Sequence, residues 1–162
     1  QLTKHTSVAL EIIKINLMSR VTKVASIKGD PKKVLAYIAD VKNHPAFISA
    51  LKSVDNLHGD PKTIGEGWDF TFSMGGVEIK GKAETADYIE GKHYSFKTTN
   101  GIVSTFSYTV EPENDGTRLT MDVEYEIPQN VVAKLLDKAV VERLNDQEGD
   151  RAVENLQAIL AA

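Results

Sequence analysis

Residues 68–76 have the sequence WDFTFSMGG, and this stretch decides the fold. Large apolar side chains alternate with small polar ones, which predicts a strand with Trp, Phe, Phe and Met on one face. The two glycines that follow permit a sharp reversal of the chain. An aromatic face of this size must be covered by other parts of the chain or by a ligand, and the pattern leaves that choice open.

Length and composition limit the class of protein. A chain of 162 residues suits a single domain with its own core. The net charge of −4 gives no support to nucleic-acid binding. The chain has no cysteines, which excludes disulfides and thiolate sites and is compatible with a cytoplasmic protein. No apolar run approaches the ~18 residues of a membrane span, so we expect a cytoplasmic domain.

The first residues differ from the rest of the chain. Residues 1–17 fit an added strand or a short helix about equally well, and Met18-Ser19 resembles a translation start. We therefore interpret residues 1–19 as a leader or an added extension, and residues 20–162 as one domain. An ordered leader would extend a sheet edge or contact a second copy in a homodimer.

The remaining chain alternates clear strand and helix signals. Residues 20–28 predict a strand, and two short helices follow, the first capped by Asp30. Residues 52–128 predict antiparallel strands separated by glycine-containing turns such as Asn100-Gly101. Residues 129–161 are helical in composition, and we expect that helix to bend or break near Gly149.

This order and three segments resemble the polyketide cyclase/dehydrase and lipid-transport superfamily, also called SRPBCC or START-like, which includes birch-pollen-type allergens. The segments are VLAYIADVKNHPAF at 34–47, GEGWDFTF at 65–72 and AVENLQAIL at 152–160. The resemblance implies an α+β helix-grip fold. In that fold a curved antiparallel sheet of about seven strands surrounds a long C-terminal helix, with two short helices after the first strand and a cavity between sheet and helix.

The apolar face of the sheet would line such a cavity, with the short helices closing one end. The predicted ligand-binding residues are Phe47, Trp68, Phe70, Phe72, Ile79, Tyr94, Phe96, Phe106, Tyr108, Met121 and Val123. A filled core is the alternative. The composition of this face favours an apolar ligand that receives a few hydroxyl contacts from Tyr94, Tyr108 and Tyr125.

Few residues point to catalysis or metal binding. The four histidines are scattered without metal-ligand spacing, so we predict neither a metal nor a cofactor. His44, Asp87 and Tyr108 are weak catalytic candidates. Strict alternation places Asp87 on the apolar face, where its pKa would rise, but we favour a bulge before Tyr88 that turns it outward.

Three functions fit these observations. The leading hypothesis is the binding or carriage of a hydrophobic small molecule such as a lipid, a quinone or a polyketide. The second is an enzyme of the polyketide cyclase or aromatase type, in which a tyrosine, His44 or Asp87 would transfer protons. The third is a protein-interaction module with a filled cavity and an exposed apolar patch.

Overall fold

One antiparallel sheet dominates the computed structural model, which describes residues 18–135 and 137–162. Within these residues the sheet has seven strands: β1 Met18–Lys28, β2 Leu51–Asp55, β3 Gly67–Met74, β4 Val77–Ile89, β5 His93–Thr99, β6 Ser104–Glu113 and β7 Gly116–Glu126. Their order is β1-β7-β6-β5-β4-β3-β2, so consecutive strands pair except that β1 pairs with β7. The strand or helix predicted within residues 1–17 lies outside the described residues.

The helices complete the predicted helix-grip fold. In the described residues they are α1 Pro31–Ala39, a 3₁₀ turn Val41–Asn43, α2 His44–Phe47, α3 Gln129–Leu135 and α4 Lys138–Leu160. Asp30 caps α1, because its carboxylate accepts a hydrogen bond from the Lys33 backbone N–H (3.0 Å). The two short helices after β1, the seven-stranded sheet and the long C-terminal helix confirm the predicted architecture. None of the described helices is long and apolar enough to cross a membrane.

Strand β3, which contains the WDFTFSM sequence, buries the face that its alternation predicts. Trp68, Phe70 and Met74 are buried in β3, and Phe72 is half-buried on the same face. The turn into β4 places Gly75 and Gly76 at φ 57° and 80°, a backbone region that suits glycine. β3 and β4 therefore form a hairpin whose apolar face contributes to the core.

The break between the terminal helices is not at Gly149, which corrects the sequence prediction. α3 ends at Leu135, and Asp137 caps α4 by accepting a hydrogen bond from the Ala139 backbone N–H (2.9 Å). Gly149 lies inside α4 and is buried. A Cβ at this position would lie 2.7 Å from Val21 Cγ1, so the glycine permits close approach of α4 to β1, and the helix continues through it.

Two ion pairs hold α4 against the edge strand β1. Lys23 Nζ lies 2.9 Å from an Asp146 carboxylate oxygen and 2.8 Å from one of Asp150. The Lys23 side chain is only 18% exposed, so its stem packs under the helix while the ammonium meets both carboxylates. The polar segment 145–151 thus contributes one face to packing on β1.

β4 contains the predicted bulge. Its register with β5 shifts between Thr85 and Asp87, after which Asp87 lies opposite Ser95 and Tyr88 opposite Tyr94. The inserted residue reverses the alternation, so Tyr88 joins the aromatic face and Asp87 turns to the other face. Asp87 is thereby separated from the other catalytic candidates.

Candidate ligand-binding cavity

A cavity separates the concave face of the sheet from α4. The volume of this cavity is about 100 Å³. A buried water molecule needs ~10–15 Å³ of such volume, so the cavity has room for a small molecule. The aromatic face of the sheet is therefore not completely covered by other parts of the chain.

Most of the predicted ligand-binding residues line this cavity. The eight that do so are Trp68, Phe70, Phe72, Phe96, Phe106, Tyr108, Met121 and Val123. Phe47, Ile79 and Tyr94 are buried but do not belong to this lining. Tyr94 stacks on Tyr108 (ring centroids 6.1 Å apart), and Phe47 packs edge-on against Tyr108 (6.3 Å). Alternation places a side chain on the correct face, but it does not say which side chains are covered by neighbours.

A stack of aromatic rings forms one wall of the cavity. The Phe96 and Phe106 rings are nearly parallel, with centroids 4.7 Å apart. Trp68 meets Phe96 edge-on at 5.4 Å, and the His44 ring stacks on Phe96 at 5.2 Å. Such contacts stabilise the rings beyond their burial alone, so the wall is a preformed apolar surface.

Sequence reasoning missed the part of the lining that α4 contributes. Asn145, Glu148, Gly149 and Ala152 line the cavity from this helix. Asn145, Gly149 and Ala152 follow the spacing i, i+4, i+7 and continue to the buried Leu156, which is the periodicity of one helix face. Extending the C-terminal apolar stripe backwards through the polar segment would have found them.

His44, a catalytic candidate from the sequence, is buried in the lining. It is 1% exposed, and its Nε2 lies 2.9 Å from the Ile38 carbonyl oxygen. Because a carbonyl oxygen only accepts hydrogen bonds, Nε2 carries the hydrogen and Nδ1 is left as an acceptor. Burial lowers the pKa of His44 to about 4, although the bond to Ile38 and the charge of Asp40 oppose this shift. The ring is therefore neutral around pH 7.

Tyr94 and Tyr108 are the largest fully buried side chains that carry a polar atom. Neither phenol oxygen has a hydrogen-bond partner among the described residues. The Thr85 hydroxyl lies near the Tyr94 phenol and slightly lowers its pKa, but the hydrogen of that hydroxyl is donated to the Pro61 carbonyl oxygen (2.6 Å). Burial raises the pKa of both phenols, so both stay protonated. Only Tyr108 of the two lines the cavity.

Removing either of these two unpaired phenol hydroxyls should increase the stability of the protein. Tyr108→Phe and Tyr94→Phe should each raise the free energy of unfolding by about 1 kcal/mol, because each removes a buried polar atom without a partner and keeps the ring. Urea unfolding would measure the change, with the half-buried Tyr37→Phe as the control that stays within about 0.5 kcal/mol. A loss of stability would show that the hydroxyl is hydrogen-bonded in solution.

The three weak catalytic candidates do not come together. His44 and Tyr108 both line the cavity, whereas Asp87 lies on the opposite face of β4. Among residues 18–135 and 137–162, no group of three or more His, Asp or Glu side chains is arranged to hold a metal ion. The cavity therefore offers hydrogen-bonding groups and apolar walls.

Known structures share this architecture. A START superfamily protein from Mycobacterium smegmatis superposes with a TM-score of 0.71 at 13% identity, covering 88% of this chain and 97% of that one. The protein TTHA0849 from Thermus thermophilus gives 0.74 at 15% identity, covering 88% and 97%. Ginseng major latex-like protein 151 from Panax ginseng gives 0.63 at 19% identity, covering 89% and 98%. At such identities the likeness shows the fold alone.

The sequence itself identifies the family. No curated protein matches the chain closely enough to count as a relative. The family model described as "Polyketide cyclase / dehydrase and lipid transport" matches residues 18–161, from β1 through the end of α4. The chain belongs to the polyketide cyclase/dehydrase and lipid-transport family.

Proposed function

We propose that this protein binds a small, largely apolar molecule in the cavity between its sheet and α4. The observation that carries the proposal is the cavity itself: about 100 Å³ remains open inside a core lined mostly by aromatic and aliphatic side chains. A core that served only stability would be filled, because voids cost packing energy. The family description, which includes lipid transport, supports the same role.

The driving force for binding would be burial of the ligand. Removing roughly 200 Å² of apolar ligand surface from water contributes about 5 kcal/mol to binding, from which the cost of ordering the ligand is subtracted. The Phe96–Phe106 stack and Trp68 supply flat surfaces for such contact. An apolar cavity of roughly 150 Å³ holds benzene, so this one of about 100 Å³ admits a compound with a single aromatic ring when its lining side chains shift slightly.

The protonation states of the lining favour binding over proton transfer. Burial lowers the pKa of His44 to about 4 and raises that of Tyr108, so both groups are neutral at pH 7. A general acid or base works best when its pKa lies near the working pH. The pKa values of these two groups are shifted away from pH 7 in opposite directions, which supports ligand carriage ahead of the cyclase hypothesis.

Titration with ethylbenzene tests the proposal. Trp68 is the single tryptophan and lines the cavity, so its indole N–H resonance in a ¹H–¹⁵N NMR spectrum reports on occupancy. We expect a saturable shift of this resonance. Absence of any shift at ligand saturation, in a folded protein, would refute binding at this site.

A cavity-filling variant provides the matched prediction. Ala152 lines the cavity from α4, and Ala158 lies exposed on the same helix. Ala152→Leu should weaken ethylbenzene binding at least tenfold, because its added methyl groups occupy the ligand's space. Ala158→Leu should leave the dissociation constant within about twofold. Equal affinity in both variants would place the bound molecule elsewhere.

A further inference from the structure

One end of the cavity is polar, although the rest of its wall is apolar. A single cross-strand row there contains Ser19 on β1, Tyr125 on β7, Ser104 on β6 and Thr98 on β5. All four residues are at least nine-tenths buried. Three of them line the cavity, and Asn145 of α4 lines it as well. Four buried polar side chains in one row of a sheet core need hydrogen-bond partners.

Only the end of the row formed by Thr98 and Ser104 has its hydroxyl hydrogens paired within the protein. The Thr98 hydroxyl donates to the Ile102 carbonyl oxygen (3.0 Å). Thr98 has one hydroxyl hydrogen, so in its 2.5 Å contact with Ser104 the Ser104 hydroxyl is the donor. Both hydrogens of this pair are therefore used within the protein.

The other side of the row retains unpaired donors. Within the described part of the chain, Asn145 Nδ2 and Ser19 Oγ are buried without partners. Both side chains approach the Tyr125 phenol and lower its pKa through hydrogen-bonding contacts, against the larger effect of burial, which raises it. These contacts do not have the geometry of full hydrogen bonds. An amide Nδ2 carries two hydrogens and only donates, so at least one of them lacks an acceptor within the described part of the protein.

The charges around this end argue against an anionic partner. Glu142 and Asp146 raise the pKa of the Tyr125 phenol, although each of them is paired with a lysine. Glu148 lines the cavity, where its carboxylate accepts a hydrogen bond from Ser49 Oγ (2.6 Å), and the described lining contains no lysine or arginine. A ligand carboxylate would lose its hydration here without a cation in the lining to replace it, whereas burial of a neutral oxygen costs far less.

We propose that the ligand carries a neutral carbonyl oxygen, as in a ketone, an ester or a quinone, and that Asn145 and Tyr125 bind this oxygen. The inference rests on the proposed function, because it assigns the orientation and chemical class of the molecule bound in the same cavity. The carbonyl lies at the polar row, and the apolar body lies against the Phe96–Phe106 wall.

Three probes of one shape test this assignment. Acetophenone carries the carbonyl, ethylbenzene replaces it with CH₂, and benzoate replaces the methyl ketone with a carboxylate. Dissociation constants come from the Trp68 indole resonance in the wild-type protein and in Asn145→Leu and Tyr125→Phe. Tyr94→Phe is the control, because its phenol also has no partner among the described residues but lies outside the cavity lining.

The readout is the ratio of the acetophenone and ethylbenzene constants. Asn145→Leu should shift this ratio about tenfold towards ethylbenzene, and Tyr125→Phe should shift it in the same direction, since each removes a donor to the carbonyl. Tyr94→Phe should leave the ratio unchanged. Benzoate should bind wild-type protein at least tenfold more weakly than acetophenone.

The outcomes separate this inference from the proposed function. If both neutral probes bind but neither lining variant moves the ratio, the carbonyl assignment is wrong and apolar binding stands. Benzoate binding more tightly than acetophenone would overturn the neutral class. If no probe binds the wild-type protein, the proposed function and this inference fail together. Tyr125→Phe keeps the test decisive if Asn145→Leu does not fold.

Discussion

Replacing Gly149 with leucine should lower the free energy of unfolding by about 3 kcal/mol. Even a Cβ at this position would lie 2.7 Å from Val21 Cγ1 and 3.3 Å from Lys23 Cε. Val21 is β-branched and 5% exposed, so it has little freedom to move away. The larger side chain would push α4 off β1, and overpacking of this kind costs about 1–3 kcal/mol, occasionally more. Urea unfolding at pH 7 measures the loss.

Two controls isolate the contact between α4 and β1. Gln147→Leu places the same side chain on an exposed position of the same helix, where the change should stay within about 0.5 kcal/mol. In a Val21→Ala background the cost of Gly149→Leu should shrink by about 1 kcal/mol or more, because the nearest methyl groups are gone. Additive effects of the two substitutions would mean that leucine destabilises α4 for a reason other than Val21.

The sheet was predictable because its signals are local. Alternation along residues 68–74 placed Trp68 and Phe70 on the buried face, and the Asn100-Gly101 turn separates β5 from β6 as expected. The bulge in β4 was also predictable, since Tyr88 and Ile89 cannot both face inward in a regular strand. Each of these inferences depends on neighbours within a few residues.

Features that depend on distant neighbours were not predictable in the same way. A glycine in a helix is consistent with a bend or with close packing, and only the position of Val21 shows that Gly149 serves packing. The polar row at the cavity joins residues from four strands, so no single segment contains its pattern. His44 precedes a proline in a short helix, and its burial follows from aromatic residues of β3 and β5 that are remote in sequence.

Acidification should destabilise the protein through His44. In the folded state burial lowers its pKa to about 4, whereas the unfolded chain has the ordinary value of about 6.5. Above pH ~6.5 both states are neutral, so this residue adds no pH dependence. Between pH ~6.5 and ~4 His44 binds a proton in the unfolded chain but not in the folded state. The free energy of unfolding should therefore fall by about 3 kcal/mol in total as the pH is lowered through this range.

His44→Gln provides the test, because glutamine does not titrate and its side-chain amide can still donate towards the Ile38 carbonyl oxygen. The variant should be less stable than wild type at pH 7.5, since the His44 ring packs against Phe96 and Trp68. Its free energy of unfolding should nevertheless change much less between pH 6.5 and 4.5.

Asp122 is a second source of acid sensitivity. Its pKa is lowered chiefly by its hydrogen bond with Arg20, so the stability it provides is lost at lower pH, as that carboxylate protonates. Urea unfolding at several pH values separates these windows, and a variant with the wild-type slope above pH 4.5 would assign the effect to another group.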